Sequence, residues 1–263
     1  AIKKLNSLSS MDNSNTEYYI VKSYLEGLMK IPFGKYCKLP ISSSNTQNEI
    51  TDFMIKSNKI LDQAVYGHIG AKSKILQILG KWISNPQSKG SVFAILGPMG
   101  NGKTTLVKEG IAKMIQRPFE FISLGGATDS SFLDGHSYTY EGSMPGKVVE
   151  IIQKSGCMNP VIYFDELDKV SKTENGKEII GILTHITDST QNDEFYDKYF
   201  SGIKIDLSKV LFIFSYNDYS KIDSILADRI HRVKFNNLSL KDKIYIVNNY
   251  LLPEFINTVG FPK

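Results

Sequence analysis

Cysteine is scarce in this chain and forms no pattern. Cys37 and Cys157 are the only two, far apart and without Cys-x-x-Cys or Cys-x-x-His spacing, which argues against a disulfide framework and a structural zinc site and for a reducing, intracellular compartment. The four histidines are scattered and gather no metal-ligating group. No apolar run approaches the roughly 20 residues that cross a bilayer, so no membrane partner is expected. Long low-complexity tracts and internal repeats are missing too. The net charge of +4 is spread along the chain, giving only weak support for a nucleic-acid partner. A first residue of Ala1 and an abrupt stop at Lys263 suggest a piece of something longer, so the lack of a targeting peptide carries no information.

What is present is better organised. At 263 residues and 41% hydrophobic content the chain can bury one large or two modest cores. The apolar run Ser91-Val-Phe-Ala-Ile-Leu96 is followed by Gly97, Pro98, Met99, Gly100, Asn101, Gly102, Lys103, Thr104 and Thr105, and then by a helical pattern from Leu106 to Met114. Gly-x-x-x-x-Gly-Lys-Thr between a strand and a helix is the phosphate-binding P-loop, in which backbone N–H groups and a helix N-terminus attract a polyphosphate. Gly97, Gly100 and Gly102 are expected to adopt backbone angles that a Cβ would forbid. Lys103 would neutralise the β- and γ-phosphates, and the hydroxyl of Thr104 would take a place on Mg²⁺. The sequence thus predicts a nucleoside triphosphate site with Mg²⁺ as cofactor.

Apolar runs at 91–96, 118–124, 160–165, 210–216 and 231–236 alternate with helical patterns, predicting an α/β fold with a parallel five-stranded sheet covered on both faces and ligands at its C-terminal strand ends. Before it, a helical pattern over 17–29 and a polar loop at 40–48 lead into helices at 48–63 and 71–84. The expected division is an N-terminal helical segment and linker (1–47), a nucleotide-binding domain (48–250) and the start of a small helical domain (251–263).

Three strand ends carry further chemistry. The run 159–164 ends in Asp165 and Glu166; Asp165 can hold Mg²⁺ through its water shell, and Glu166 can orient the attacking water. The run 210–216 ends in Asn217, which can contact the γ-phosphate or that water, or can simply form a turn. Asp228 and Arg229 precede the last run; Arg229 can serve as an arginine finger on a neighbouring subunit, or can pair with Asp228.

P-loop, Asp-Glu strand, Asn strand and Asp-Arg in this order resemble an AAA+ P-loop NTPase. The text between them resembles the ATPase module of Lon proteases. The carrying strings are Leu61-Asp-Gln-Ala-Val-Tyr-Gly67, Ile122-Ser-Leu-Gly-Gly126, Gly135-His136, Thr139-Tyr-Glu-Gly-Ser-Met-Pro-Gly-Lys147, Asp165-Glu-Leu-Asp-Lys169, Gln191-Asn192 and Asp206-Leu-Ser-Lys-Val210, with Leu251-Leu-Pro253 at the start of the small domain. The resemblance covers 17–255. It implies a ring homo-oligomer, a hexamer in the family, that hydrolyses ATP to ADP while unfolding protein substrates and threading them to a serine-lysine protease. It also implies that Val65, Tyr66 and Gly67 hold adenine, and that Tyr140 grips substrate in the axial pore.

Four departures stand out. Glu141 follows the pore tyrosine where an aliphatic residue is usual. Asp134-Gly-His-Ser-Tyr138 lacks the customary arginines, and the chain stops before most of the small domain, with no protease domain in it. The competing functions are an AAA+ remodeller acting on nucleic acid and a nucleotide-binding scaffold with little turnover.

Overall fold

The computed structural model describes residues 2–9, 11, 16–85, 92–127, 129–138 and 143–260. Five parallel strands, β1 (Val92–Leu96), β2 (Phe119–Ser123), β3 (Val161–Asp165), β6 (Leu211–Tyr216) and β7 (His231–Lys234), form one sheet in the order β2-β3-β6-β1-β7. Each lies inside or at the edge of a run expected from the sequence. A small antiparallel pair, β4 (Phe195–Tyr196) with β5 (Lys204–Ile205), was not anticipated; strands of two residues leave too short a pattern to read.

Strand alternation divides the core into two layers. Ala94, Ile162, Phe164, Phe212 and Phe214 face the helices Thr16–Met29, Lys147–Ser155 and Glu174–Thr187. Phe93, Ile95, Val161, Tyr163, Leu211 and Ile213 face Gln47–Ala64, Ile69–Ser84 and the helix 103–115. Both faces are covered, so β1 is apolar throughout, and β3 and β6 are apolar as far as Asp165 and Ser215 at their C-terminal ends. The helix Thr16–Met29, which follows a short helix at Ile2–Ser9, belongs to the first layer through Val21, Tyr24, Leu25 and Leu28.

Local chemistry sets the ends of the elements. Thr46 and Glu49 form a reciprocal capping box at the start of Gln47–Ala64, and Ser239 with Asp242 does the same for the final helix. That final helix runs continuously over 240–259, across residue 251. Its apolar residues Leu240, Ile244, Leu251 and Phe255 are exposed.

The loop between Gly135 and Gly146 is drawn together at its base. Asp197 Oδ2 accepts the Gly146 N–H at 2.8 Å, while Oδ1 accepts from Tyr199 N at 2.9 Å and Phe200 N at 3.2 Å. Neither glycine tolerates a Cβ, which would lie 2.7 Å from Gly146 N in one case and 2.2 Å from Leu133 O in the other. Burial pushes the Asp197 carboxyl up to about 6, against the pull of the three N–H donors.

A folded-state value above the unfolded one means that the native state holds this proton more tightly. Stability from this group is therefore fully present below about pH 4 and is lost as pH rises through about 6, a swing of order 2–3 kcal/mol. Denaturant titrations of the wild type and Asp197→Asn at pH 4.5 and 7 should show the variant gaining on the wild type as pH rises. Parallel curves would remove the titration from Asp197.

Candidate active site

A cleft of about 1120 Å³ opens at the C-terminal ends of β1, β3 and β6. It collects Val65, Tyr66, the P-loop from Met99 to Thr105, Asp165, Glu166 and Asn217. Gly67, Gly97 and Pro98 support it without lining it, and Arg229 lies elsewhere. Tyr140 and Glu141 fall outside the described residues.

Gly100 and Gly102 have φ of +74° and +81°, the left-handed region in which a Cβ is strained. Gly97 corrects the sequence expectation. Its φ is not positive, and glycine is needed because a Cβ would stand 2.6 Å from the Cβ of Phe235, where the chain leaves β7. Asn101 is buried and donates through Nδ2 to Asn236 O at 2.9 Å, tying the loop to the same segment.

Lys103 is the centre of the cleft. Its side chain is buried and its ammonium donates to Gly97 O at 2.7 Å, Pro98 O at 3.0 Å and Asn217 Oδ1 at 2.8 Å. All three donors are used. Burial lowers its pKa, opposed by the nearby charges of Asp165 and Asp168. Thr104 Oγ1 lies 3.4 Å from the Tyr163 hydroxyl, whose pKa burial pushes up to about 12.

Asp165 closes β3. Its Oδ1 accepts from the hydroxyl of Ser215 and from Glu166 N. Glu166 then turns into the left-handed region at φ +59°, one of three described non-glycine residues there. Its carboxylate rests against Gly125, where an added Cβ would fall 2.2 Å from Oε2. Asp168, also buried, accepts through Oδ2 from Asn217 N and Asp218 N at 3.3 and 3.2 Å, bracing the end of β6. Arg229 pairs with Asp188 rather than with its neighbour Asp228. Hydrogen bonds from Thr190, then from Arg229, hold the Asp188 carboxyl well below the usual range.

Several lining residues escaped the sequence reading. Ile246 and Tyr250 of the final helix border the cleft. Tyr245 sets its ring 4.4 Å from that of Tyr66, and Tyr250 Oη donates to Asp62 O at 2.9 Å. Only packing of this helix across the cleft places them there. Asp168, by contrast, lies within the string Asp165-Glu-Leu-Asp-Lys169 and has a local sequence signal.

Over residues 93–238 the chain matches the family described as ATPase family associated with various cellular activities (AAA). The chain belongs to the AAA family. It is 38% identical to a Lon protease homolog of Acanthamoeba polyphaga mimivirus, a match covering 100% of this chain and 26% of that protein. Identity is 33% to Lon protease of Clostridium beijerinckii, over 99% of this chain and 31% of the relative. It is again 33% to the mitochondrial Lon protease homolog of Saccharomyces cerevisiae, over 98% and 22%. The chain thus spans between 22% and 31% of the length of these three relatives. It is a Lon-like AAA ATPase module, as its motif strings implied. Among the described residues no helix is long and apolar enough to cross a membrane.

The contact between Gly125 and Glu166 yields a direct test. If Glu166 orients the attacking water, Gly125→Ala in the assembled ATPase should displace its carboxylate and lower kcat for ATP by about ten- to a hundredfold. Nucleotide affinity should change little, since Gly125 does not line the cleft. Steady-state turnover and equilibrium nucleotide binding together check this, and an unaltered kcat would dissociate the two residues.

Proposed function

We propose that this module binds ATP with Mg²⁺ in the 97–105 cradle and hydrolyses it within an oligomeric ring, driving unfolding and translocation of protein substrates towards a protease domain. The observation that carries the reading is the meeting of Lys103, Asp165, Glu166 and Asn217, from three separate strand ends, in one cleft. Chance glycine-rich turns do not assemble these partners. Val65 and Tyr66 take the adenine, with Gly67 following them in the chain. A triphosphate replaces the neutral acceptors of Lys103 with charged oxygens, which compensates the buried ammonium better than carbonyls do.

Thr104 and Asp165 offer a hydroxyl and a carboxylate, the hard oxygen set that suits Mg²⁺. The ion, when bound, neutralises charge on the β- and γ-phosphates. Glu166 orients the attacking water and takes its proton. Asn217, tied to Lys103 and braced by Asp168, reports the state of the γ-phosphate to β6. Arg229 is held away from its own cleft by Asp188, which supports service to a neighbouring subunit's nucleotide. Tyr140 grips the substrate polypeptide in the pore, with Glu141 adding a carboxylate beside it.

Two measurements test this. Glu166→Gln in the full-length protein should retain ATP binding and lose turnover, while undiminished hydrolysis would remove Glu166 from its role. The present chain alone should bind ADP yet hydrolyse ATP at least about a hundredfold more slowly than the assembled protein, because a neighbour's arginine is worth 10³–10⁵ in rate. Robust turnover by a monomeric sample would contradict the shared-site reading.

A further inference from the structure

A second cleft, of about 470 Å³, lies at the opposite end of the sheet, among the residues that lead into β2, β3 and β6. Three cations line it, Lys38, Arg117 and Lys209, and no carboxylate does. Arg117 is the informative one. Its side chain is half-buried, its Nε is buried without a hydrogen-bond partner, and its Nη1 reaches Lys209 O at a long 3.4 Å. No described carboxylate forms a salt bridge with it. The neighbouring polar groups with charge to offer are the thiols of Cys37 and Cys157, and burial pushes the Cys157 thiol up to about 11, so that it stays neutral. A half-buried guanidinium that has the Trp82 ring 5.9 Å away but no carboxylate partner is under-compensated, and an anion from solution supplies the missing charge.

The walls restrict which anion. Trp82, Leu39 and Ile41 give apolar surface, and the Tyr36 ring carries the Lys209 ammonium 5.0 Å from its centre. The volume is that of a small organic ligand rather than a bare ion. We propose that this cleft binds a small phosphate monoester with a planar apolar group, its phosphate on the Arg117 fork between Lys38 and Lys209 and its ring against Trp82 and Tyr36. The site is separate from the P-loop and does not depend on what the nucleotide site does.

Trp82 is the only tryptophan in the chain, so its fluorescence reports this cleft specifically. With the nucleotide site saturated by ADP and Mg²⁺, titration with phenyl phosphate should give a saturable Trp82 response with Kd of about 1 mM or below and a rise in Tm. Inorganic phosphate should bind at least about tenfold more weakly if the ring contacts contribute; equal binding by both would overturn the monoester assignment. The double variant Lys38→Gln/Lys209→Gln, which keeps side chains of similar length, should raise Kd by about tenfold or more, and Arg117→Gln should abolish the response. If Arg117→Gln fails to fold, the double variant decides. A response absent by both readouts, unchanged in the double variant, or lost on ADP saturation would overturn the proposal.

Discussion

The ammonium of Lys103 and the three oxygens around it hold the catalytic end of this module together. Gly97 O and Pro98 O come from the turn after β1, and Asn217 Oδ1 comes from the end of β6. These two strands are neighbours, paired from Val92 with Phe212 to Leu96 with Tyr216. The same sheet brings β3 against β6, so that Asp165 reaches Ser215. A buried cation thus sits where three strand ends converge, stabilised by neutral dipoles and by the more distant Asp165 and Asp168. Such an arrangement is tolerable without ligand, and a polyanion would compensate the ammonium better.

The acids are arranged around this charge by backbone geometry. Asp165 is the last residue of β3. Glu166 takes the left-handed conformation immediately after it, which sends its side chain towards Gly125 at the end of β2. Strain of order 1 kcal/mol at such a residue persists only where surrounding structure imposes it; here Glu166 is held between β3 on one side and the short helical turn Leu167–Lys169 on the other. Asp168 within that turn binds the backbone after β6. One segment of four residues therefore positions the acid pair and the asparagine together.

Much of this was legible in the sequence because the signals are local. The glycine spacing, the apolar strands and the Asp-Glu and Asn strand ends each need only neighbouring residues to be recognised, and all meet in one cleft. What was not legible depends on distant approach. Gly97 faces Phe235, Glu166 faces Gly125, and Arg229 pairs with Asp188 rather than with the adjacent Asp228. The closeness of Cys37 and Cys157 to Arg117 likewise has no local signature, since three separate segments must first fold around the base of the sheet. The aromatic contact between Tyr66 and Tyr245 depends on how the final helix crosses the cleft, a matter of packing that periodicity does not encode.

On the proposed function, bound nucleotide draws the Lys103 ammonium from its carbonyl partners to phosphate while the strand ends stay in place. A crystal structure of the chain with a non-hydrolysable ATP analogue and Mg²⁺ tests it most directly. The expected structure has the Lys103 ammonium on the β- and γ-phosphate oxygens, released from Gly97 O and Pro98 O, with Asn217 still braced by Asp168. An analogue bound elsewhere, or bound in the cleft with Lys103 still on both carbonyls, would contradict it.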